Sequence, residues 1–181
     1  FNKEEVNELV RGLKLDYLPP VDMICDYLTE NQLRALHEES DCYVTCARAE
    51  GWGLGAFEAT LLGKPIIATG YSGLLEFLQH YENKKLLPYF LTPAITPESK
   101  SNSTIEVAGL KIKTALRNDH IGIRGDQSWA EVSLHAMKKY MREAYDENWQ
   151  SNEAEGKYMR QIFNYETIGN QLKGYLEELV R

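Results

Sequence analysis

The chain has 181 residues, of which 43% are apolar and 26% are charged, a composition typical of a globular protein with a buried core and not of a disordered one. The formal net charge of -7 argues against nucleic acid as a partner, because phosphate backbones are bound by basic surfaces. No apolar run approaches the roughly 18–20 residues that a membrane-spanning helix needs, so no transmembrane segment is predicted.

The N-terminal part of the chain predicts helices and a short apolar strand. Apolar side chains at helical spacing predict a helix over residues 4–13, and a short apolar run follows at residues 21–25. The sequence Thr-Glu-Asn-Gln at residues 29–32 is a capping box, in which the first and last side chains satisfy free backbone N–H groups. It predicts the start of a helix with Leu33 and Leu36 directed inward.

A βαβ unit is predicted next. Residues 41–46 predict a strand, residues 53–62 a helix, and residues 65–69 a second strand. Gly63 stands where a glycine commonly ends a helix. Together with the preceding elements, this gives the order αβαβαβ, which predicts an α/β fold with a Rossmann-like parallel sheet and helices on both faces.

Beyond this unit, the regular alternation stops. Residues 86–91 predict a further strand, in which Pro88 indicates an edge position or a bulge, because proline has no N–H to donate. Residues 92–127 are predicted to form an inserted loop or hairpin excursion. Two alternating stretches, residues 105–107 and 110–112, flank an Ala-Gly pair and are compatible with a small hairpin. So long a connection is unusual inside a compact domain, which favours an excursion or a lid.

The last third of the chain is predicted to be helical. The sequence Ser-Trp-Ala-Glu at residues 128–131 is a second capping box and predicts a helix that continues to about Tyr145. Two further helices are predicted at about residues 153–163 and 167–180, and the apolar face of the last one is expected to pack into the core. Residues 1–181 are interpreted as one domain that carries the excursion.

The sequence CARAEGWGLGAFE at residues 46–58 carries the strongest functional signal, because it joins a predicted strand to a predicted helix. In a parallel sheet, ligands bind beyond the carboxyl ends of the strands, and the free N–H groups of a helix N-terminus suit phosphate. Gly53 and Gly55 have no Cβ, so a phosphate or sugar can approach the backbone closely. A simpler interpretation is that the glycines only make a tight turn.

A second interpretation is a dinucleotide site. Gly51, Gly53 and Ala56 match the spacing of the G-x-G-x-x-G/A fingerprint between a strand and a helix. The following strand, however, ends in Ala-Thr-Gly and lacks the acidic residue that would hold a ribose. In addition, Arg48 and Glu50 stand between the first strand and the first glycine, where the fingerprint has no such insertion.

A third interpretation assigns the chemistry to two glutamates. Glu58 lies about one turn inside the predicted helix, and helical side chains lean towards the N-terminus. Its carboxylate is therefore expected to reach the mouth of the helix and accept both hydroxyls of a ribose diol. Glu50 stands at the end of the strand and faces the same mouth, so the pair would bracket a nucleoside diphosphate with one carboxylate at each end.

The sequence EGWGLGAFEATLLGKPIIATGYSGLLEF, which contains Glu50 and Glu58 at E-x7-E spacing, resembles the donor-site signature of retaining GT-B glycosyltransferases. That family includes glycogen synthase, sucrose synthase and many cell-envelope mannosyltransferases. The sequence NQLRALHEESDCYV resembles the helix and strand before the signature, and Trp-Ala-Glu at residues 129–131 resembles a segment of a bacterial and viral subgroup. The resemblance covers most of residues 21–98 and 127–178, and implies the C-terminal, donor-binding half of a GT-B fold.

The resemblance implies transfer of a hexose from a nucleotide diphospho-sugar to an acceptor, with retention of configuration. Glu58 would hold the ribose, and Glu50 would be the catalytic residue beside the reacting carbon. The implied donor contacts fall on two further groups of residues, Gly51, Trp52, Gly53, Leu54 and Gly55 for the sugar and phosphates and Asp26, Tyr27 and Leu28 for the nucleobase. No cofactor or metal is implied, and the chain lacks the DxD triplet of metal-dependent GT-A enzymes.

Two parts of the implied enzyme lie outside this chain. By the resemblance, the basic pair that clamps the diphosphate would lie upstream of the matched region, near a first strand that this chain would lack. The N-terminal acceptor-binding domain would lie outside the chain as well. We therefore expect the isolated chain to be inactive. Arg48 is the nearest cation to the site in sequence, and a solvated loop position is the equal alternative; His37 and His135 are interpreted as surface or packing residues.

Two other classes of function stay open: a catalytically silent sugar-nucleotide-binding module and a GT-B-fold epimerase of nucleotide sugars. Cys25, Cys42 and Cys46 are interpreted as thiols of a reducing cytosol, because positions 42 and 46 would lie about 13 Å apart on a strand, too far for a disulfide. The chain starts with Phe1 and shows no signal peptide, which indicates a piece of a longer protein. We expect a cytoplasmic enzyme of polysaccharide biosynthesis, with peripheral membrane attachment left open.

Overall fold

The structure is a computed structural model that describes residues 3–12, 20–93, 104–107, 110–113 and 128–180. The helices and strands follow one another in this order: α1 (Lys3–Gly12), α2 (Glu30–Glu39), β1 (Tyr43–Thr45), α3 (Leu54–Leu61), β2 (Ile66–Thr69), α4 (Leu74–Leu78), β3 (Lys84–Leu87), β4 (Tyr89–Pro93), β5 (Thr104–Val107), β6 (Leu110–Lys113), β7 (Ser128–Val132), α5 (Leu134–Asp146), α6 (Glu153–Ile162) and α7 (Tyr165–Leu179). None of the described helices is both long and apolar enough to cross a membrane.

The chain divides into two compact units. The smaller unit comprises Phe1–Thr29 and Pro93–Ser128, and the larger comprises Glu30–Thr92 and Trp129–Arg181. The larger unit contains a three-stranded parallel sheet in the order β1-β2-β3. This parallel sheet with flanking helices confirms the predicted α/β, Rossmann-like class. The assignment of residues 1–181 to one donor-binding domain with an excursion stays a prediction.

Strand β2 is the centre of the larger unit, and all four of its residues are buried. Because neighbouring side chains on a strand point to opposite faces, Ile66 and Ala68 pack on one side while Ile67 packs on the other. On the first side the cluster includes Phe77 of α4 and Met159 of α6, both with no exposed surface. Full burial of a side chain of this size contributes about 1.5–3 kcal/mol, so helices on both faces stabilise the sheet.

The predicted strand at residues 21–25 is wrong, and with it the first β of the predicted order. The segment has no strand hydrogen bonding, and Val21 and Ile24 are exposed. A short apolar run forms a strand only where a neighbouring strand accepts and donates its backbone hydrogen bonds. Within the described residues, β1 pairs with β2 alone, so no partner is provided for this run.

The capping box predicted at residues 128–131 is also wrong. These residues belong to β7, which pairs with β4, and the N–H of Ala130 donates to the carbonyl of Arg48 at 3.0 Å. The helix α5 starts later, and its cap is Ser133, whose hydroxyl accepts a hydrogen bond from the N–H of Ala136. The S-x-x-E pattern is local, and backbone pairing with distant segments overrides it.

Helix α2 begins directly after Thr29, where the first capping box predicts it, but its inward face is different. Leu33 and Leu36 are exposed, and His37 is the buried residue of this helix. The ring of His37 lies 5.7 Å from the ring of Tyr43, between centroids. Contact with β1 therefore sets the orientation of the helix, which leucine spacing alone had predicted wrongly.

Pro88 divides the strand predicted at residues 86–91 into two strands, β3 and β4. β3 lies at the edge of the three-stranded sheet, in agreement with the edge position that proline indicates. In the region of the predicted excursion, β5 and β6 pair antiparallel, with Ile105 opposite Ile112 and Val107 opposite Leu110. The remainder of residues 94–127 lies outside the described part of the chain.

Helices α6 and α7 agree with the sequence pattern in position, and asparagine side chains cap both. The core packing predicted for α7 is wrong, because Leu172, Tyr175 and Leu179 are exposed and no residue of this helix is buried. Amphipathic spacing selects which face of a helix is apolar. It does not supply the partner that would cover that face, and among the described helices only α6 makes substantial contact with α7.

The three cysteines are free thiols, of which Cys25 and Cys46 are exposed and Cys42 is partly buried. Burial, with a smaller effect from the neighbouring Asp41 carboxylate, raises the pKa of Cys42 to about 11. The raised pKa means that at pH 8 only about one Cys42 in a thousand is a thiolate, the form that reacts with iodoacetamide, whereas Cys25 and Cys46 are exposed to the reagent. We expect iodoacetamide at pH 8 to label the exposed Cys25 and Cys46 well before Cys42, read by mass spectrometry of peptides. Equal labelling of all three in the folded chain would contradict this, and the urea-unfolded chain is the control.

Candidate functional site

The loop between β1 and α3 carries the predicted signature, and Gly53 is the last residue before the helix. Its φ of 83° lies in the left-handed region, which glycine adopts without strain. The N–H of Phe57 donates to the carbonyl of Gly53 at 3.0 Å, so the helix starts at this residue. A glycine cap has no side chain to accept hydrogen bonds from the first turn. The N–H groups at this end are therefore suited to an anion.

Packing within the protein accounts for two of the glycines. A Cβ on Gly53 would collide with the side chain of Leu74, and a Cβ on Gly55 would lie 2.6 Å from the Tyr43 hydroxyl. By contrast, nothing lies within 4 Å of the place where a Cβ of Gly51 would be. The turn interpretation thus accounts for Gly53, and packing against Tyr43 accounts for Gly55. The predicted contact of Gly51, Gly53 and Gly55 with phosphate or sugar stays a prediction.

Two backbone segments of the site are joined by hydrogen bonds. The N–H of Glu50 donates to the Ser72 hydroxyl at 2.9 Å, and the N–H of Gly73 donates to the carbonyl of Glu50 at 3.1 Å. Ser72 adopts a φ of 65°, an uncommon conformation for a residue with a Cβ. The GYSG loop after β2 therefore fixes the position of the Glu50 backbone in the loop between β1 and α3.

The side chain of Trp52 packs in the core. Its ring lies 5.5 Å from Phe57, 5.4 Å from Phe77 and 5.9 Å from Phe163, measured between ring centroids. Aromatic groups at these distances pack favourably. Leu54, in contrast, is exposed at the first position of α3. Trp52 thus anchors the loop with its ring, and its predicted donor contact is left to its backbone.

Glu50 and Glu58 both act on the hydroxyl of Tyr43. Burial raises the pKa of Tyr43 above its usual value, and the negative charges of Glu50 and Glu58 raise it further. Coulomb effects of this kind fall off with distance, so both carboxylates lie within electrostatic range of one phenol. Glu50 and Glu58 thus share an influence on Tyr43, and their predicted roles in the site stay predictions.

A cavity of about 620 Å³ lies beside Glu58, between α2, α3 and α6. Glu58 and His37 line it together with Arg34, Arg160 and three leucines. Its size falls within the range of small-molecule sites, roughly 300–1,000 Å³. The Nε2 atom of His37 lies 3.5 Å from Oε2 of Glu58. The cavity combines an apolar wall with charged groups of both signs.

Arg48 lies in the loop after β1, partly exposed, and it is paired with an acidic side chain. Its Nη2 lies 2.7 Å from Oε1 of Glu131, and its guanidinium lies 5.9 Å from the centre of the Trp129 ring. The ion pair is partly exposed, so its contribution to stability is modest. The ion pair nevertheless holds the Arg48 guanidinium at Glu131. The spacing of the two residues in the sequence does not predict this pairing.

The nucleobase-side residues Asp26, Tyr27 and Leu28 belong to the smaller unit, and their predicted role stays a prediction. Tyr27 is 95% exposed. Sequence reasoning missed Tyr43 and assigned His37 no functional role, since neither lies in the loop. Both residues could have been found from the order of the elements, because α2 and β1 come directly before the loop and pack beside it. In the described part of the chain, no group of three or more His, Cys, Asp or Glu side chains is arranged to hold a metal ion.

Residues 22–90 match the model of the family described as glycosyl transferases group 1. The match covers less than half of the chain. It includes the three strands of the parallel sheet, the loop before α3 and the GYSG loop. No curated protein and no solved structure matches the chain. The segment that carries Glu50, Glu58 and helix α3 is thus similar to group 1 glycosyltransferases.

Proposed function

We propose that this chain is the donor-binding part of a retaining glycosyltransferase that transfers a hexose from a nucleotide diphospho-sugar to an acceptor. The observation that carries the proposal is the family match across residues 22–90, within which the charges of Glu50 and Glu58 both raise the pKa of Tyr43 in β1. Glycosyl transfer in general rests on the match. Retention, the hexose and the nucleotide donor rest on the resemblance of the E-x7-E segment.

The proposed donor runs across the N-terminal end of α3. Glu58 accepts hydrogen bonds from the ribose diol, and the backbone N–H groups of Leu54 and Gly55 meet the diphosphate. Glu50 lies beside the donor sugar, where a carboxylate stabilises the positive charge that develops as the bond to phosphate breaks. The hydrogen bonds from Glu50 N–H to Ser72 and from Gly73 N–H to Glu50 support this role, because a preorganised charge needs a fixed backbone.

The negative charge that develops on the leaving diphosphate has to be neutralised by nearby cations. Arg48, the basic residue nearest to the loop in sequence, is paired with Glu131 at 2.7 Å. We therefore assign the neutralising role to a basic pair and an acceptor domain elsewhere in the intact enzyme. The same ion pair is the observation that favours a catalytically silent sugar-nucleotide-binding module as the second candidate.

We expect the isolated chain to bind nucleotide sugars weakly and to transfer nothing. In the proposed enzyme this chain supplies only the donor-binding half of the cleft, so its affinities for UDP-, GDP- and ADP-sugars should lie in the high-micromolar to millimolar range, roughly -4 to -6 kcal/mol. EDTA should leave the affinity unchanged, since no metal takes part. Calorimetry or NMR titration measures the affinity, and release of nucleotide by the isolated chain and by the parent enzyme, each with and without acceptor, measures transfer. Transfer by the isolated chain alone would contradict the prediction. A parent that binds donor but never transfers would support the silent module.

In the parent enzyme, Glu58→Gln should mainly raise the Michaelis constant for the donor. The ribose contact is made in both ground and transition states, so its loss affects binding more than turnover. The expected loss is about 1–3 kcal/mol, typical of a hydrogen bond to a charged acceptor. Steady-state kinetics at varied donor concentration provide the measurement. A normal Michaelis constant with a reduced turnover number would contradict the ribose assignment.

A further inference from the structure

His37 is a buried polar residue beside the proposed ribose contact. Its side chain is 8% exposed, whereas the side chain of Glu58 is 41% exposed. Among the described residues, Nε2 of His37 has no hydrogen-bond partner, and Oε2 of Glu58 lies 3.5 Å from it. Both residues line the cavity between α2, α3 and α6.

The chemistry of the two groups determines which is the hydrogen-bond donor and which is the acceptor. A carboxylate has only acceptor atoms, so a favourable approach requires hydrogen on Nε2 of the imidazole. A buried N–H without an acceptor is destabilising, and an apolar side chain in the same place would avoid that cost. The N–H group at Nε2 of His37 is therefore explained by the nearby Glu58 carboxylate and not by packing alone.

Geometry indicates which partner moves. The 3.5 Å separation exceeds the 2.7–3.2 Å that is usual for such a hydrogen bond, and hydrogen bonds in ligand-free sites often tighten on binding. Burial on α2 and the Tyr43 ring hold the imidazole in place. Glu58 has more rotational freedom because more of its side chain is exposed.

We infer that His37 is a positioning residue for Glu58. Its Nε2–H donates to Oε2 of Glu58 and leaves Oε1 for the ribose diol. The inference rests on the proposed function, in which Glu58 holds the ribose. A carboxylate fixed at one oxygen loses less conformational freedom when its other oxygen binds the ligand, as with groups that orient metal ligands.

The experiment measures how strongly the chain distinguishes ribose from deoxyribose. UDP, GDP and ADP are titrated into the isolated chain by NMR, and the base that binds best is then compared with its 2′-deoxy form. The wild type should prefer the ribonucleotide by about tenfold, and Glu58→Gln should reduce this preference to about threefold or less.

The His37 variants separate positioning from packing. His37→Phe retains a ring without a donor and should reduce the preference to about threefold or less, like Glu58→Gln. His37→Gln supplies an amide N–H and should restore most of it. His135→Phe, at an exposed position of α5, is the matched control and should behave as the wild type. Thermal unfolding of each variant tests its folding.

The outcomes distinguish the inference from the function on which it rests. Failure of all three nucleotides to bind, or no ribose preference in the wild type, overturns the ribose role of Glu58 and the inference with it. If Glu58→Gln loses the preference but His37→Phe keeps it, only the positioning role is overturned. Should His37→Phe not fold, ¹⁵N NMR of the wild type decides: the Nε2 proton must become protected from exchange when the nucleotide binds, and an unchanged signal overturns the inference.

Discussion

In the parent enzyme, Glu50→Gln lowers the turnover number by roughly a hundredfold or more and weakens donor binding much less. Positive charge builds on the donor sugar as its bond to phosphate breaks, and the carboxylate of Glu50 favours that state over the ground state. Glutamine has nearly the same shape but no charge. The loss therefore appears in the chemical step, which single-turnover kinetics at saturating donor measure directly.

The control for Glu50→Gln is Glu178→Gln, an exposed glutamate near the end of α7, which should leave turnover unchanged. Glu50→Gln should unfold at the same temperature as the wild type, because the hydrogen bonds that hold this residue use its backbone and not its carboxylate. Normal turnover in Glu50→Gln would contradict the catalytic assignment. A variant that loses activity only because it has unfolded would contradict it too.

Gly73→Ala should destabilise the larger unit by about 2–3 kcal/mol and abolish nucleotide binding. A Cβ at this position collides with the carbonyl of Gly51 and lies 2.9 Å from the carbonyl oxygen of Glu50. Both atoms belong to the backbone, so a side-chain rotation cannot relieve the contact. The two loops must separate, and the hydrogen bond from Gly73 N–H to Glu50 is lost.

Urea unfolding followed by circular dichroism measures the change in the free energy of unfolding. Gly169→Ala is the matched control, since nothing lies within 4 Å of an added Cβ there. Alanine is a better helix former than glycine, so this control should be neutral or more stable by up to about 1 kcal/mol. Wild-type stability and nucleotide binding in Gly73→Ala would show that the two loops are not held as closely as the hydrogen bonds indicate.

The sequence alone identified the βαβ unit around the candidate site, because the signals there are local and agree with one another. Ile-Ile-Ala-Thr is a β-rich run, Gly63 ends α3 with a φ of 71°, and the glycine-rich loop lies between strand and helix. The spacing of Glu50 and Glu58 likewise follows from the chain itself. Both charges raise the pKa of Tyr43, and the donor-binding roles of the two glutamates stay predictions.

Tertiary structure decided the features that depend on distant partners. Residues 128–131 have the local pattern of a helix cap, yet pairing with β4 and the hydrogen bond to Arg48 make them a strand. Residues 21–25 are apolar, yet without a neighbouring strand they form none. Backbone hydrogen bonds to residues far along the chain are absent from any local pattern, and they outweigh weak local preferences.

The chemistry of the site shows the same division. The sequence names the two glutamates, whereas only the packing of α2 against β1 and α3 places His37 at Glu58 and beside the Tyr43 ring. Arg48 is close to the loop in sequence, but its partner Glu131 is 83 positions away along the chain. Charge and residue type are properties of the sequence. Which charges meet, and which N–H is buried beside which carboxylate, is decided by how the helices pack on the sheet.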